Sequence, residues 1–96
     1  MHKMKKYEFN RNEFKWGEEF YDIIQKRMDL PEWFGKNADA PWDMLTGWIE
    51  APCEITLIGF NGKENEYNKF VLDRIKYCFD LVQKRYPDKF KIIYKD

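Results

Sequence analysis

The run from Cys53 to Phe60, CEITLIGF, constrains this chain more than any other stretch. Its Ile-Thr-Leu-Ile centre is close to continuously apolar, so it reads as a strand covered by helices on at least one face. Pro52 precedes it and an Asn61-Gly62 turn follows. Two weaker strand signals accompany it: the alternation Lys6-Tyr7-Glu8-Phe9, with a turn at Asn10-Arg11-Asn12, and the terminal run Phe90 to Tyr94. Between Gly17 and Asp29, apolar residues at Phe20, Ile23, Ile24 and Met28 mark one face of a helix. Glu18 and Glu19 near its start and Lys26 and Arg27 near its end suit the helix dipole, and Pro31 stops it. Asn37 or Asp39 can cap a second helix running to about Glu50, with Pro41 in its first turn and Ala51-Pro52 ending it. A third helix spans Tyr67 to Tyr86, with Phe70, Val71, Ile75, Cys78, Phe79 and Val82 as its apolar face, broken by Pro87-Asp88. The order β-α-α-β-α-β predicts an α/β fold with a small parallel sheet and right-handed crossovers. A chain of 96 residues is expected to form one domain, 1–96.

Charge narrows the function classes. The formal net charge is zero, which argues against a general nucleic-acid binder. The charge is unevenly spread: from Asp29 to Glu54 there are six acids (Asp29, Glu32, Asp39, Asp43, Glu50, Glu54) against Lys36 alone, while the two ends are mildly basic. An acidic middle favours a basic partner and disfavours phosphate as ligand. His2 is the sole histidine, so histidine triads and histidine acid–base pairs are excluded. Cys53 and Cys78 fit no metal or redox spacing and read as buried thiols of a reducing compartment. The start MHKMKKYEF lacks the apolar run of a signal peptide, no stretch approaches a membrane span, and a cytoplasmic location is expected. There is no phosphate-binding loop and no dinucleotide-binding glycine pattern, and no cofactor is expected.

The acidic middle is also the aromatic one. Leu30 to Pro52, LPEWFGKNADAPWDMLTGWIEAP, holds Trp33, Trp42 and Trp48, and aromatic residues make up 19% of the whole chain. At about 100° per residue, Asp39, Asp43, Thr46 and Glu50 fall within roughly 60° of one another on a helical wheel. Pro41, Met44, Leu45 and Trp48 take the opposite, core side; Trp42 and Ile49 lie at one border and Gly47 at the other. An ordinary solvated helix face would explain the acids, and Asp39 alone could serve the dipole. Yet aspartates four residues apart repel by a few tenths of a kcal/mol, and no lysine or arginine on the helix compensates. Asp39 and Asp43 could also be an acid–base or divalent-metal pair, but no further ligand set accompanies them, so no metal is expected. Trp33-Phe34 is either part of a contact surface or a lid over the core; Trp16 and Trp48 read as core.

These residues resemble the signature segment of the barstar family, intracellular inhibitors of a secreted bacterial ribonuclease. The matching positions are Leu30-Pro31, Trp33-Phe34-Gly35, Asn37, Asp39, Trp42-Asp43, Leu45-Thr46-Gly47-Trp48 and Glu50. The resemblance implies a small three-stranded parallel sheet packed with helices, with the aromatic loop and second helix plugging a ribonuclease active site. It implies that Asp43 is the central anchor among the enzyme's basic groups and Asp39 a second acid. It further implies that Trp33 and Phe34 form an aromatic wall, with Asn37, Trp42, Thr46, Gly47 and Glu50 bordering the contact. The chain departs from the family in its neutral net charge, in Trp33 where tyrosine is usual, and in Pro41 at an aliphatic position. An acid of the family's last helix aligns with Leu81 or Val82, beside Asp80. The expected function is a non-enzymatic inhibitor of a ribonuclease or ribonuclease-type toxin, with no direct nucleic-acid or membrane contact. The alternatives are a module of the same fold that grips a different protein, and a small carboxylate enzyme.

Overall fold

A computed structural model of the chain describes residues 4–30 and 52–96. The elements are β1 (Lys5–Asn10), a 3-10 turn (Arg11–Glu13), α1 (Glu19–Arg27), β2 (Cys53–Ile58), α2 (Glu66–Arg85) and β3 (Phe90–Lys95). The strands form one parallel sheet in the order β1-β2-β3, with Phe9 opposite Leu57 and Leu57 opposite Tyr94. The α/β architecture read from the sequence is the one observed.

Strand alternation divides the sheet into two unlike faces. Phe9, Cys53, Ile55, Leu57, Phe90 and Ile92 point to one face and are buried. The other face carries Lys6, Glu54 and Lys91 in one row and Asn10, Ile58 and Lys95 in another. When strands are laid down in sequence order by crossovers of one hand, the intervening helices fall on the same side. α1 and α2 accordingly share the apolar face, and their residues join the strands in one core. The aromatic centre of that core is Phe20, edge-on to Phe9 at 5.3 Å, stacked on Phe14 at 5.1 Å and tilted against Phe60 at 5.1 Å.

The two helices meet where the chain enters α1. A Cβ on Gly17 would come within 3.0 Å of the Val71 side chain, so any larger residue here would have to push Val71 aside. Asn68, in the first turn of α2 and 3% exposed, closes the junction. Its Oδ1 accepts the Gly17 N–H at 2.8 Å and its Nδ2 donates to the Lys15 carbonyl at 3.0 Å. Its own backbone N–H is capped by the Asn65 side chain at 2.7 Å. Nearby, Arg11 donates Nε and Nη2 to both oxygens of Glu64, at 2.7 and 2.8 Å, tying the turn after β1 to the loop before α2.

Three expectations are corrected. Trp16 is not core: it is 45% exposed, because the tight approach of Gly17 to α2 turns the preceding ring outward, edge-on to Tyr67. Phe70 is 63% exposed. The buried stripe of α2 is Asn68, Leu72, Ile75, Phe79 and Val82, and Phe70 lies roughly 160° from its centre at about 100° per residue. Cys78, at the flank of that stripe, is half-buried rather than buried; Cys53 is buried, and no disulfide joins the two.

Replacing Asn68 with alanine leaves the Gly17 N–H without a partner, at a cost of about 1–3 kcal/mol, and leaves the Lys15 carbonyl only its longer bond from Arg11 Nη2 at 3.4 Å. Urea unfolding of Asn68→Ala should show a loss of about 2–4 kcal/mol, whereas the exposed Phe70→Ala should lose under about 1 kcal/mol.

Candidate functional site

Trp33, Phe34, Asn37, Asp39, Trp42, Asp43, Thr46, Gly47 and Glu50 all lie in 31–51, outside the described residues. Trp48, Pro41 and the helix expected up to Glu50 lie there as well. What the structure describes is the frame from which this segment leaves and to which it returns.

It leaves from the end of α1. The Asp29 N–H reaches the Lys26 carbonyl at 3.4 Å and the Leu30 N–H reaches the Gln25 carbonyl at 2.8 Å. Asp29 has φ 54°, in the left-handed region. These are the bonds and backbone of a Schellman turn, with Asp29 at the position usually held by glycine. The Gln25 side chain adds a second tie, its Nε2 donating to the Leu30 carbonyl at 2.6 Å. Leu30 and Met28 are buried at 3% and 5% exposure, so the last described residue before Pro31 is anchored in the core. Arg27 fixes the same end of the helix. Its Nη1 donates to the Glu8 carbonyl at 2.8 Å and to Glu13 Oε2 at 2.9 Å, its Nη2 donates to Glu13 Oε1, and its guanidinium lies over the Phe9 ring.

The segment returns at the amino-terminal edge of the sheet. The Pro52 carbonyl accepts the Lys5 N–H at 3.1 Å, and the Cys53 N–H donates to the Lys89 carbonyl at 2.8 Å. Burial pushes the Cys53 thiol up to about 11, which keeps it neutral and unreactive near pH 7. Beside it lies a groove of about 460 Å³ lined by Met4, Pro52, Cys53, Phe90 and the lysines 84, 89 and 91. Open α/β sheets hold small ligands beyond the carboxyl ends of their strands. Segment 31–51 rejoins the sheet at the opposite edge.

Among the described residues, no group of three or more His, Cys, Asp or Glu could hold a metal ion, and no helix is long and apolar enough to cross a membrane. In α2, Val82 is buried in the core and Leu81 is half-buried. The acid on this stretch is therefore the exposed Asp80, whose Oδ1 accepts the Tyr94 hydroxyl at 2.8 Å. Burial, and secondarily this bond to a carboxylate, raise the Tyr94 pKa.

A family model described as Barstar (barnase inhibitor) matches residues 4–95. The chain belongs to the barstar family. The match begins just before β1 and ends at the last residue of β3, so it takes in the described frame together with segment 31–51. A relative from Bacillus subtilis (strain 168), named "Putative ribonuclease inhibitor YrdF", is 30% identical over 90 residues, covering 94% of this chain and 98% of the relative. The barstar resemblance carried in the sequence by Leu30 to Glu50 thus extends over nearly the whole chain.

The left-handed turn at Asp29 and the Gln25 tie were not read from the sequence, although the helix end itself was. Lys26-Arg27 followed by Asp29-Leu30-Pro31 has the form of a helix end, with cations in the last turn and proline shortly after.

Hydrogen bonding to Arg27, and then to the Asn10 backbone, lowers the Glu13 carboxyl from 4.5 to about 2. A depressed carboxylate contributes stability above its unfolded value and loses it as pH falls through its folded value. The stability difference between wild type and Glu13→Gln should therefore be constant above about pH 4.5 and vanish as pH approaches about 2. With the pair partly exposed, a plateau of about 1 kcal/mol is expected from urea unfolding across this range.

Proposed function

We propose that this barstar-family chain is a cytoplasmic inhibitor that occludes the active site of a ribonuclease or ribonuclease-type toxin with segment 31–51. The family match over residues 4–95 carries the reading, because it includes the motif residues Trp33-Phe34-Gly35, Asn37, Asp39, Trp42-Asp43 and Leu45-Thr46-Gly47-Trp48. The name of the Bacillus subtilis relative supports the same partner class.

The mechanism is electrostatic mimicry. An enzyme that cleaves a phosphodiester must gather arginine, lysine or histidine around the phosphate. Asp43 occupies that cluster in place of the phosphate and accepts charge-assisted hydrogen bonds, with Asp39 as a second acceptor. Trp33 and Phe34 provide an aromatic wall that excludes water, and Asn37, Trp42, Thr46, Gly47 and Glu50 border it. Water exclusion makes each buried charge pair count for more and slows release. A fold held by the sheet and two helices, with its helix end fastened by Gln25 and Arg27, lets the segment bind without reordering the frame.

The test is inhibition of RNA cleavage, with barnase and a ribonuclease captured from cells expressing the chain as targets. Stoichiometric loss of cleavage is expected; wild-type protein that inhibits neither enzyme overturns the reading. Asp43→Ala leaves the partner's cations buried and uncompensated, a cost of about 3–5 kcal/mol, or roughly 10²–10⁴-fold in affinity. The loss should appear mainly as faster dissociation with an unchanged unfolding midpoint.

A further inference from the structure

We propose that Asp29 is a partner-contacting residue, a carboxylate fixed at the entrance to segment 31–51 and kept there at a cost to the fold. The inference rests on the inhibitor reading above and adds a residue outside the aromatic motif.

Two local rules are broken at this one position. The first concerns the backbone: Asp29 has φ 54° and closes the turn whose bonds run from Asp29 to Lys26 and from Leu30 to Gln25. Glycine is the usual residue there and asparagine the usual substitute. The second concerns charge. The carbonyl end of a helix favours cations, and Lys26 and Arg27 comply. Asp29 brings an anion to the same end.

The carboxylate gives nothing to the fold in return. Asp29 is exposed, and among the described residues its carboxylate has no hydrogen bond or ion pair, not even with the Lys26 side chain. The guanidinium of Arg27 is committed to Glu13 and to the Glu8 carbonyl. Meanwhile its position is tightly defined. Leu30 is buried and doubly bonded to Gln25, at 2.8 Å through the backbone and 2.6 Å through the side-chain amide. A charge held this firmly, two residues before Pro31, loses little freedom on meeting a partner.

The Asp29 carboxylate therefore stands at a fixed point where the acidic stretch of sequence from Asp29 to Glu54 begins. There it meets a lysine or arginine on the ribonuclease, outside the phosphate-binding cluster. A charge at such a border acts chiefly on encounter and on partner choice.

Two substitutions separate charge from backbone. Asp29→Asn keeps a side chain that tolerates the left-handed turn and removes the charge. Asp29→Gly removes the charge and suits the backbone best. Against whichever ribonuclease the wild-type chain inhibits, both variants should associate more slowly, by roughly 3- to 10-fold at low salt, with the deficit shrinking as ionic strength rises. Their unfolding midpoints should not fall, and Asp29→Gly should gain a few degrees, on the order of 3–5 °C.

Variants that associate as fast as wild type, or that both unfold at lower temperature, overturn the assignment. Asp43→Ala, measured alongside, keeps the two readings apart. If Asp43→Ala abolishes binding while the Asp29 variants match wild type, the inhibitor reading stands and the Asp29 assignment falls. If the Asp29 variants slow association and Asp43→Ala has no effect, Asp29 stands and the Asp43 anchor falls. A wild-type chain that inhibits neither barnase nor the captured ribonuclease removes both.

Discussion

The constraint behind the described fold is that both of its helices share one face of the sheet. Three parallel strands in sequence order, joined by crossovers of one hand, put α1 and α2 on the same side. Phe9, Ile55, Leu57 and Ile92 supply that side, and Phe20, Ile24, Leu72, Ile75 and Phe79 cover it. Just before α1, Gly17 lies against Val71 of α2, and Asn68 converts the contact into a bonded joint. Packing and polar satisfaction are settled at one place, between the entry of α1 and the first turn of α2.

The opposite ends of those helices do different work. At the exit of α1 the chain is fastened three times: by the turn at Asp29, by the Gln25 amide, and by Arg27 bridging to Glu13 and the Glu8 carbonyl. At the entry to β2 it is fastened by Lys5 and Lys89 backbone bonds. A barstar-family segment of more than twenty residues therefore begins and ends on fixed points. Under the proposed function, its side chains answer to the partner.

Much of the fold was legible because its signals were periodic. CEITLI and FKIIY are strands, and the three-and-four spacing of Phe20, Ile24 and Met28 marks α1. The misreadings arose where two patterns competed. In α2, Phe70 and Val71 suggested one stripe, but the strands face a stripe through Leu72, Ile75, Phe79 and Val82, and a single sheet face accepts only one. Trp16 was sent outward by a backbone approach that its own identity does not report. Asn68 looks like a solvated helix residue until Gly17 and Lys15, about fifty residues away, are brought to it. In the site, the Leu30 to Glu50 motif was plain because it is a dense, ordered set of residue types; its chemistry rests on the family. The turn at Asp29 was overlooked because aspartate is an uncommon occupant of a glycine position.

The outer strands of the sheet have a consequence for how copies of the protein meet. In the described sheet β1 and β3 are the outer strands, each with one side unpaired by another strand. Outer strands invite further strands to add to them, and lysine is a common guard against it. Here Lys6 stands on β1, and Lys91 and Lys95 on β3. Two such sheets approaching edge to edge bring like charges together before any backbone bond can form. The basic ends that bring the net charge to zero thus act locally as a barrier to fibre growth, in a molecule too neutral overall to rely on general repulsion.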